Sequence, residues 1–153
     1  MIIDIENIKT ALLKGELDTL ECKRAKSEVP KSVWETYSAF ANTIGGIILL
    51  GIEENRKETD VKKRFQIIGV DDAQRIVNDF WNTINSDKVN ENILSSNDVD
   101  TVKIDGVQIV CIHVPQADWR IKPIYLNGNV YKGTYSPPTH PRMHPPTRPR
   151  MHP

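Results

Sequence analysis

No stretch of this 153-residue chain stays apolar for anything near the ~18 residues that a membrane-spanning helix needs. The start, Met1-Ile2-Ile3-Asp4-Ile5-Glu6-Asn7-Ile8-Lys9, lacks the basic opening and the apolar length of a secretory signal. Both absences point to a cytoplasmic protein with no membrane partner. Cysteine is scarce. Cys22 and Cys111 stand alone, at a spacing that matches no zinc pattern, and each lies in a strand-like stretch where a reduced thiol acts as a small apolar group. Net charge is missing too, with 20 basic and 20 acidic side chains. Residues 1 to 135 are even slightly acidic, 17 basic against 20 acidic. Nucleic-acid binding by bulk charge is thereby excluded, and any such binding needs a local patch. Gly45-Gly46 is not followed by Lys-Ser or Lys-Thr, so there is no Walker-type phosphate cradle.

What is present centres on Ser38 to Gly51, SAFANTIGGIILLG. Val33, Tyr37, Phe40, Ala41 and Ile44 recur at helical spacing and predict a helix over residues 31 to 44 with one apolar stripe. Ser32 and Glu35 have the spacing of a capping box, and Pro30 is a competing start signal. Gly45 and Gly46 are expected to stop the helix. Ile47 to Leu50 do not alternate with polar residues, which suits an inner strand covered on both faces. Gly51 within that apolar run suggests a bulge or a close approach by another backbone.

The remaining elements read in order. Residues 4 to 14 predict a short helix ended by Gly15. Residues 19 to 24 predict a strand with Leu20 and Cys22 inward and Glu21 and Lys23 outward. Residues 53 to 64 are charged and read as a solvated loop, and Phe65 to Val70 as a strand. Asp71 or Asp72 can cap a helix reaching about Ser86, with Ile76, Val77, Phe80, Trp81 and Ile84 on its apolar face. Residues 87 to 98 read as irregular. Asp105-Gly106 predicts a tight I′ turn between Val99–Ile104 and Val107–Val114. Asn127-Gly128-Asn129 is a weaker hairpin signal between Ile124–Leu126 and Val130–Lys132. His113 reads as a strand residue with a satisfied ring, and Trp34, Trp81 and Trp119 as core or rim packing. From Ser136 the chain changes character. It is rich in Pro, His and Arg, nearly repeats itself, and holds no Val, Ile, Leu or aromatic residue, so residues 136 to 153 are expected to form a disordered tail. The expected fold is α+β: a mixed sheet with Gly46 to Ile52 central, packed by two main helices, with a short N-terminal helix.

Three pieces of sequence, taken together, carry a resemblance. They are Glu16-x4-Glu21-Cys22-Lys23, Ala39-Phe40-Ala41-Asn42-Thr43-x-Gly45-Gly46 and Leu49-Leu50-Gly51-Ile52-Glu53-Glu54. In order and spacing this region resembles the Schlafen-type AlbA-like (AlbA-2) DNA-binding domain found in bacterial proteins described as transcriptional regulators. Cys22 stands where relatives usually carry an aromatic, and Lys132-Gly133-Thr134 replaces a terminal Arg followed by Gly-Ser. The resemblance implies a single domain over residues 1 to 135 and a nucleic-acid partner, DNA before RNA.

The candidate phosphate-contacting residues are Lys23, Arg24, Lys26 and Lys31, next to the N-terminal amides of the central helix. Lys62, Lys63 and Arg64 form a second basic cluster. Asn42, Thr43, Gly45, Gly46 and Gly51 are expected to serve helix termination and packing. The alternative that the resemblance implies is a metal-dependent nuclease, because some animal Schlafens build a ribonuclease site from corresponding carboxylates. Glu16, Glu21 and Glu53 or Glu54 would then hold Mg²⁺ or Mn²⁺. On a continuous strand Glu16 and Glu21 would face opposite ways, so that site needs a turn between them. An interaction module without nucleic-acid binding, forming a homo-oligomer, is the remaining reading.

Overall fold

The computed structural model describes residues 19–55 and 57–136 together with Thr10, and of Val61 and Lys62 the backbone alone. The short helix expected over residues 4 to 14 (save Thr10), Glu16, and the tail beyond Ser136 lie outside the described residues.

The chain forms β1 (Leu20–Lys23), α1 (Ser32–Ala41), β2 (Gly46–Leu50), β3 (Ile52–Glu54), a single helical turn α2 (Val61–Arg64), β4 (Phe65–Ile67), α3 (Ala73–Ile84), β5 (Val99–Ile104) and β6 (Val107–Val114). Short 3₁₀ turns span Ser96–Asp98 and Trp119–Ile121. A four-stranded sheet has the order β1-β2-β6-β5, with β1 parallel to β2 and the other pairs antiparallel. β3 and β4 form a separate two-stranded sheet. The architecture is α+β, as expected. Among the described residues no helix is long and apolar enough to cross a membrane.

The unalternating run in β2 has the predicted cause. Ile48 and Leu50 face α1 and α3, together with Val110, Ile112 and Val114 from β6. Leu49 faces the other way, among Leu20, Cys22, Ile52, Ile109 and Cys111, where the β3–β4 pair covers the sheet. Ile48, Leu49 and Leu50 are completely buried, each adding about 1.5–3 kcal/mol of apolar burial. α1 and α3 meet through Trp34 stacked on Phe80, with ring centroids 5.0 Å apart.

The two glycines after α1 do different jobs. Gly45 has φ +82, and its amide closes the helix end on the Phe40 carbonyl at 2.9 Å. Gly46 already belongs to β2. A Cβ there would lie 2.6 Å from the Phe40 ring, so its bareness is a packing requirement. Gly51 ends β2 at φ +107, and its carbonyl takes the amides of Ile68 and Gly69 at 2.9 and 2.8 Å. The expected close approach of backbones is therefore Gly51 against Gly69. The strand does not run on to Ile52 within one sheet, because Gly51 passes the chain from the large sheet to the small one.

Several local expectations need correction. Ser32 and Glu35 form no capping box: Lys31 occupies the cap position without a side-chain bond, and Ser32 Oγ accepts from Lys23 Nζ at 3.2 Å. Ile44 is off the apolar stripe and 73% exposed, since α1 has already ended. Asp72, the second of the two candidates, caps α3 by accepting the Arg75 amide. Residues 53 to 64 are not simply solvated, because α2 folds back and brings Arg64 to Glu54. The Asp105-Gly106 turn forms as predicted, with φ +51 and +84. The second turn forms at Asn127-Gly128, with φ +58 and +66, but the chain returns through isolated pairings rather than a strand over Val130–Lys132: the Leu126 amide bonds the Gly133 carbonyl at 2.9 Å, Tyr125 bridges Thr134, and Val89 bridges Leu126 from the other edge.

Candidate functional site

The C-terminal end of α1 is tied down by three polar side chains. Ser38 is fully buried; its hydroxyl donates to the Ile124 carbonyl at 2.7 Å and accepts the Tyr135 amide at 3.0 Å. Asn42 accepts the Ile124 amide at 2.7 Å and donates to the Ile124 and Tyr135 carbonyls at 2.9 and 3.3 Å. Thr43 Oγ1 bonds back to the Ala39 carbonyl at 2.9 Å. Asn42 thus acts on a segment far away in sequence rather than on its own helix end. Ser38 escaped sequence reasoning, although a hydroxyl between Tyr37 and Ala39 on a buried helix has to find a partner.

The basic residues lie along the path from β1 to α1. Lys23 closes β1 on the side of the sheet that faces the helices, its Nζ on Ser32 Oγ. Arg24 is 60% exposed at its side chain, with Nη1 3.6 Å from Glu53 Oε2. Lys26 is 47% exposed, with Nζ 4.0 Å from Asp71 Oδ1. Exposed pairs of this kind hold weakly and exchange readily. Lys31 sits at the mouth of α1, where a positive charge opposes the helix dipole. It lines a cleft of about 470 Å³ with Glu28, Trp34, Asp79 and Lys88. The Val33 and Trp34 amides are already bonded to the Pro30 and Lys31 carbonyls at 3.1 and 3.3 Å, which removes two donors that an anion would otherwise meet.

The acids are distributed differently. Glu21 is half-buried on β1, opposite Ile48 and so on the helix side of the sheet. Glu53 and Glu54 lie beyond Gly51 on β3, opposite Gln66 and Phe65. Glu53 meets Arg24. Glu54, only 4% exposed at its side chain, has Oε2 3.3 Å from Arg64 Nε, in poor hydrogen-bond alignment. Glu53, Glu54, Lys63, Arg64 and Phe65 line a second cleft of about 490 Å³. Among the described residues no three His, Cys, Asp or Glu side chains are grouped to hold a metal ion. The described acids therefore do not make a donor set for Mg²⁺ or Mn²⁺, and Glu16 lies outside the described residues.

His113 has the satisfied ring expected of it, with Nδ1 2.8 Å from Asp98 Oδ1. An ionised carboxylate only accepts, so Nδ1 is the donor of this bond. Burial pushes the Asp98 carboxyl up, but the Ser95 amide and His113 outweigh it and hold the group below the usual carboxylate range. Trp34 is buried and Trp81 half-buried, in line with packing, whereas Trp119 is 79% exposed and packs neither core nor rim. Nothing in its local sequence marks that exposure beyond the polar Gln116 and Asp118 before it.

A family model described as Schlafen, AlbA_2 matches residues 16–135. The fold is similar to the solution NMR structure of the N-terminal domain of a protein from Nitrosomonas europaea described as ATP-dependent DNA helicase RecG-related. The TM-score is 0.62 and the identity 22%, over 94% of this chain and 95% of that one. It is also similar to a crystal structure of a Corynebacterium diphtheriae protein, with TM-score 0.50 and 19% identity, over 80% of this chain and 23% of that one. At these identities the likeness is one of fold. No curated protein matches the chain.

Proposed function

Because the chain belongs to the Schlafen AlbA_2 family, we propose that it is a nucleic-acid-binding domain, serving DNA as an accessory part of a transcriptional regulator. It contacts phosphates through Lys23, Arg24, Lys26 and Lys31. The observation that carries this reading is the gathering of these four cations between the end of β1 and the start of α1, with Arg24 and Lys26 held only by loose, exposed pairs. Phosphates can replace Glu53 and Asp71 at little cost. Contacts of this kind position a protein on a nucleic acid without reading its sequence. The helicase-related name of the Nitrosomonas neighbour is in keeping with such a role.

Binding of a short DNA duplex, followed by fluorescence anisotropy, tests the proposal. About four phosphate contacts give a log–log salt slope near −3.6, or about a hundredfold weaker binding between 50 and 200 mM salt. The double change Lys23→Ala, Arg24→Ala should flatten that slope by about two. Absent or salt-insensitive binding overturns the reading. The rival, a Mg²⁺- or Mn²⁺-dependent nuclease using Glu16, Glu21 and Glu53 or Glu54, requires the Arg24–Glu53 pair or the Arg64–Glu54 pair to open. Metal-dependent cleavage that disappears in Glu21→Gln would replace binding with that activity.

A further inference from the structure

We infer that Trp119 is a base-stacking platform, and that the ligand class of this domain therefore includes single-stranded nucleic acid. The inference rests on the nucleic-acid reading above and adds to it a second contact, made to bases rather than phosphates.

The chain has used its other tryptophans for packing: Trp34 stacks on Phe80, and Trp81 meets Phe80 edge-on at 5.7 Å. Trp119 instead stands in water on a turn that is held firmly. On the way in, the Ala117 amide bonds the Ala41 carbonyl at 2.8 Å. On the way out, Ile124 is fastened to Asn42 through both backbone groups. Within the turn, Asp118 Oδ1 accepts the Arg120 amide at 2.9 Å. The Arg120 guanidinium folds back onto Asp118 at 3.1 and 2.7 Å. An indole displayed on a pinned turn is already ordered before a ligand arrives, so stacking costs little conformational freedom.

The surroundings suit a nucleobase. Arg120 and Lys122 follow the ring directly, and Asp118 is the only acid in the turn. Any base offers a π-face, and Lys122 beside the aromatic, joined by Arg120 once it exchanges its exposed Asp118 pair for a phosphate, meets the adjoining phosphates, which is the pattern of sequence-tolerant single-strand binding. In a duplex the faces are already stacked on neighbouring base pairs, so Trp119 contributes nothing there. The turn sits at the C-terminal end of α1 and Lys31 at the other. The ten residues between them span about 15 Å, a distance that about four or five nucleotides cover, well within a strand of ten.

Ten-residue oligothymidylate, added to the full chain, tests this by tryptophan emission and anisotropy, beside a duplex of equal length. The expected result is quenching on binding and about tenfold weaker single-strand affinity in Trp119→Ala. The salt slope and the duplex affinity stay unchanged, and Trp119→Phe recovers most of the loss. Circular dichroism of the variants should match the parent, since this ring supports no core. Single-strand binding with the usual salt slope, unquenched and equal in Trp119→Ala, overturns the platform and leaves the phosphate contacts standing. Binding of neither nucleic acid overturns both. Self-association abolished by Trp119→Ala, with nucleic-acid affinity intact, makes the surface a protein contact and overturns the platform as well.

Discussion

Asn42 and Ile124 pair as two strands would: Oδ1 takes the Ile124 amide at 2.7 Å and Nδ2 gives to its carbonyl at 2.9 Å. One side chain thus supplies the ladder that the chain around Ile124 lacks. Asn42→Ala leaves the Ile124 amide unpaired, while the Ile124 carbonyl keeps its bond from Ser38 Oγ, and should cost about 1–3 kcal/mol. Urea denaturation measures the loss, and faster exchange of the Ile124 amide locates it. An unchanged midpoint would mean that water replaces the amide without penalty.

Gly51 offers a harsher test. A Cβ there would sit 2.9 Å from Ile109 Cδ1 and 3.1 Å from the Gly69 carbonyl carbon, at a positive φ that side chains avoid. Gly51→Ala should destabilise by about 2 kcal/mol or more, through backbone strain and displacement of the β3–β4 pair together. Equilibrium unfolding in urea reads the effect.

The Asp98–His113 contact makes stability depend on acid. Because the Asp98 carboxyl titrates below its unfolded counterpart, it stabilises the fold at neutral pH. That contribution shrinks as pH drops under the ordinary carboxylate value and is gone once pH is below the folded one. Asp98→Asn should therefore be less stable than the parent at pH 7, by about 1–2 kcal/mol, with the gap narrower at pH 3. Urea midpoints at both pH values are the measurement. A constant gap would show that the carboxylate's charge is not what matters.

Both cysteines should resist chemistry in the folded state. Cys22 and Cys111 flank Leu49 from neighbouring strands on either side. Two strand spacings put them about 10 Å apart, too far for a disulfide. Burial, helped by Asp100, pushes the Cys111 thiol up to about 12. A thiol reagent at pH 8 should label neither cysteine in native protein and both in urea.

Glu53→Gln separates the two functional readings directly. It removes the acid that holds Arg24 at 3.6 Å. If Arg24 serves phosphates, DNA affinity at low salt should rise about two- to fivefold, the worth of an exposed ion pair. If Glu53 serves a metal, the same change abolishes cleavage and leaves binding unimproved.

What the sequence revealed and what it hid divides along chain distance. The Asp105-Gly106 turn and the stop at Gly45 are set by a few adjacent residues and were readable, and the cap of α3 was narrowed to Asp71 or Asp72. β2 was readable because its burial on both faces leaves a run without polar interruptions. The role of Asn42 was not, because its partner is far downstream and chemically featureless in sequence. The Arg64–Glu54 pair was hidden for a related reason: a charged segment looks solvated until the α2 turn folds it back. The hairpin expected at Asn127 pairs later than its sequence suggests, through Gly133 and Thr134 rather than Val130 to Lys132, and Val89, from a stretch read as irregular, adds a bridge on the opposite edge of Leu126. The exposure of Trp119 depends on where its turn is anchored, which composition does not encode.

The position of β2 carries a cost during synthesis. Its parallel neighbour has already been translated when Leu50 is added, but the strand covering its opposite edge ends only at Val114. Until then the nascent chain carries Ile47-Ile48-Leu49-Leu50, apolar and β-prone, with one open edge outside the ribosome. Translation products broken off before β6 should therefore aggregate rather than form a smaller stable unit, and holding chaperones should engage the emerging chain at this stretch.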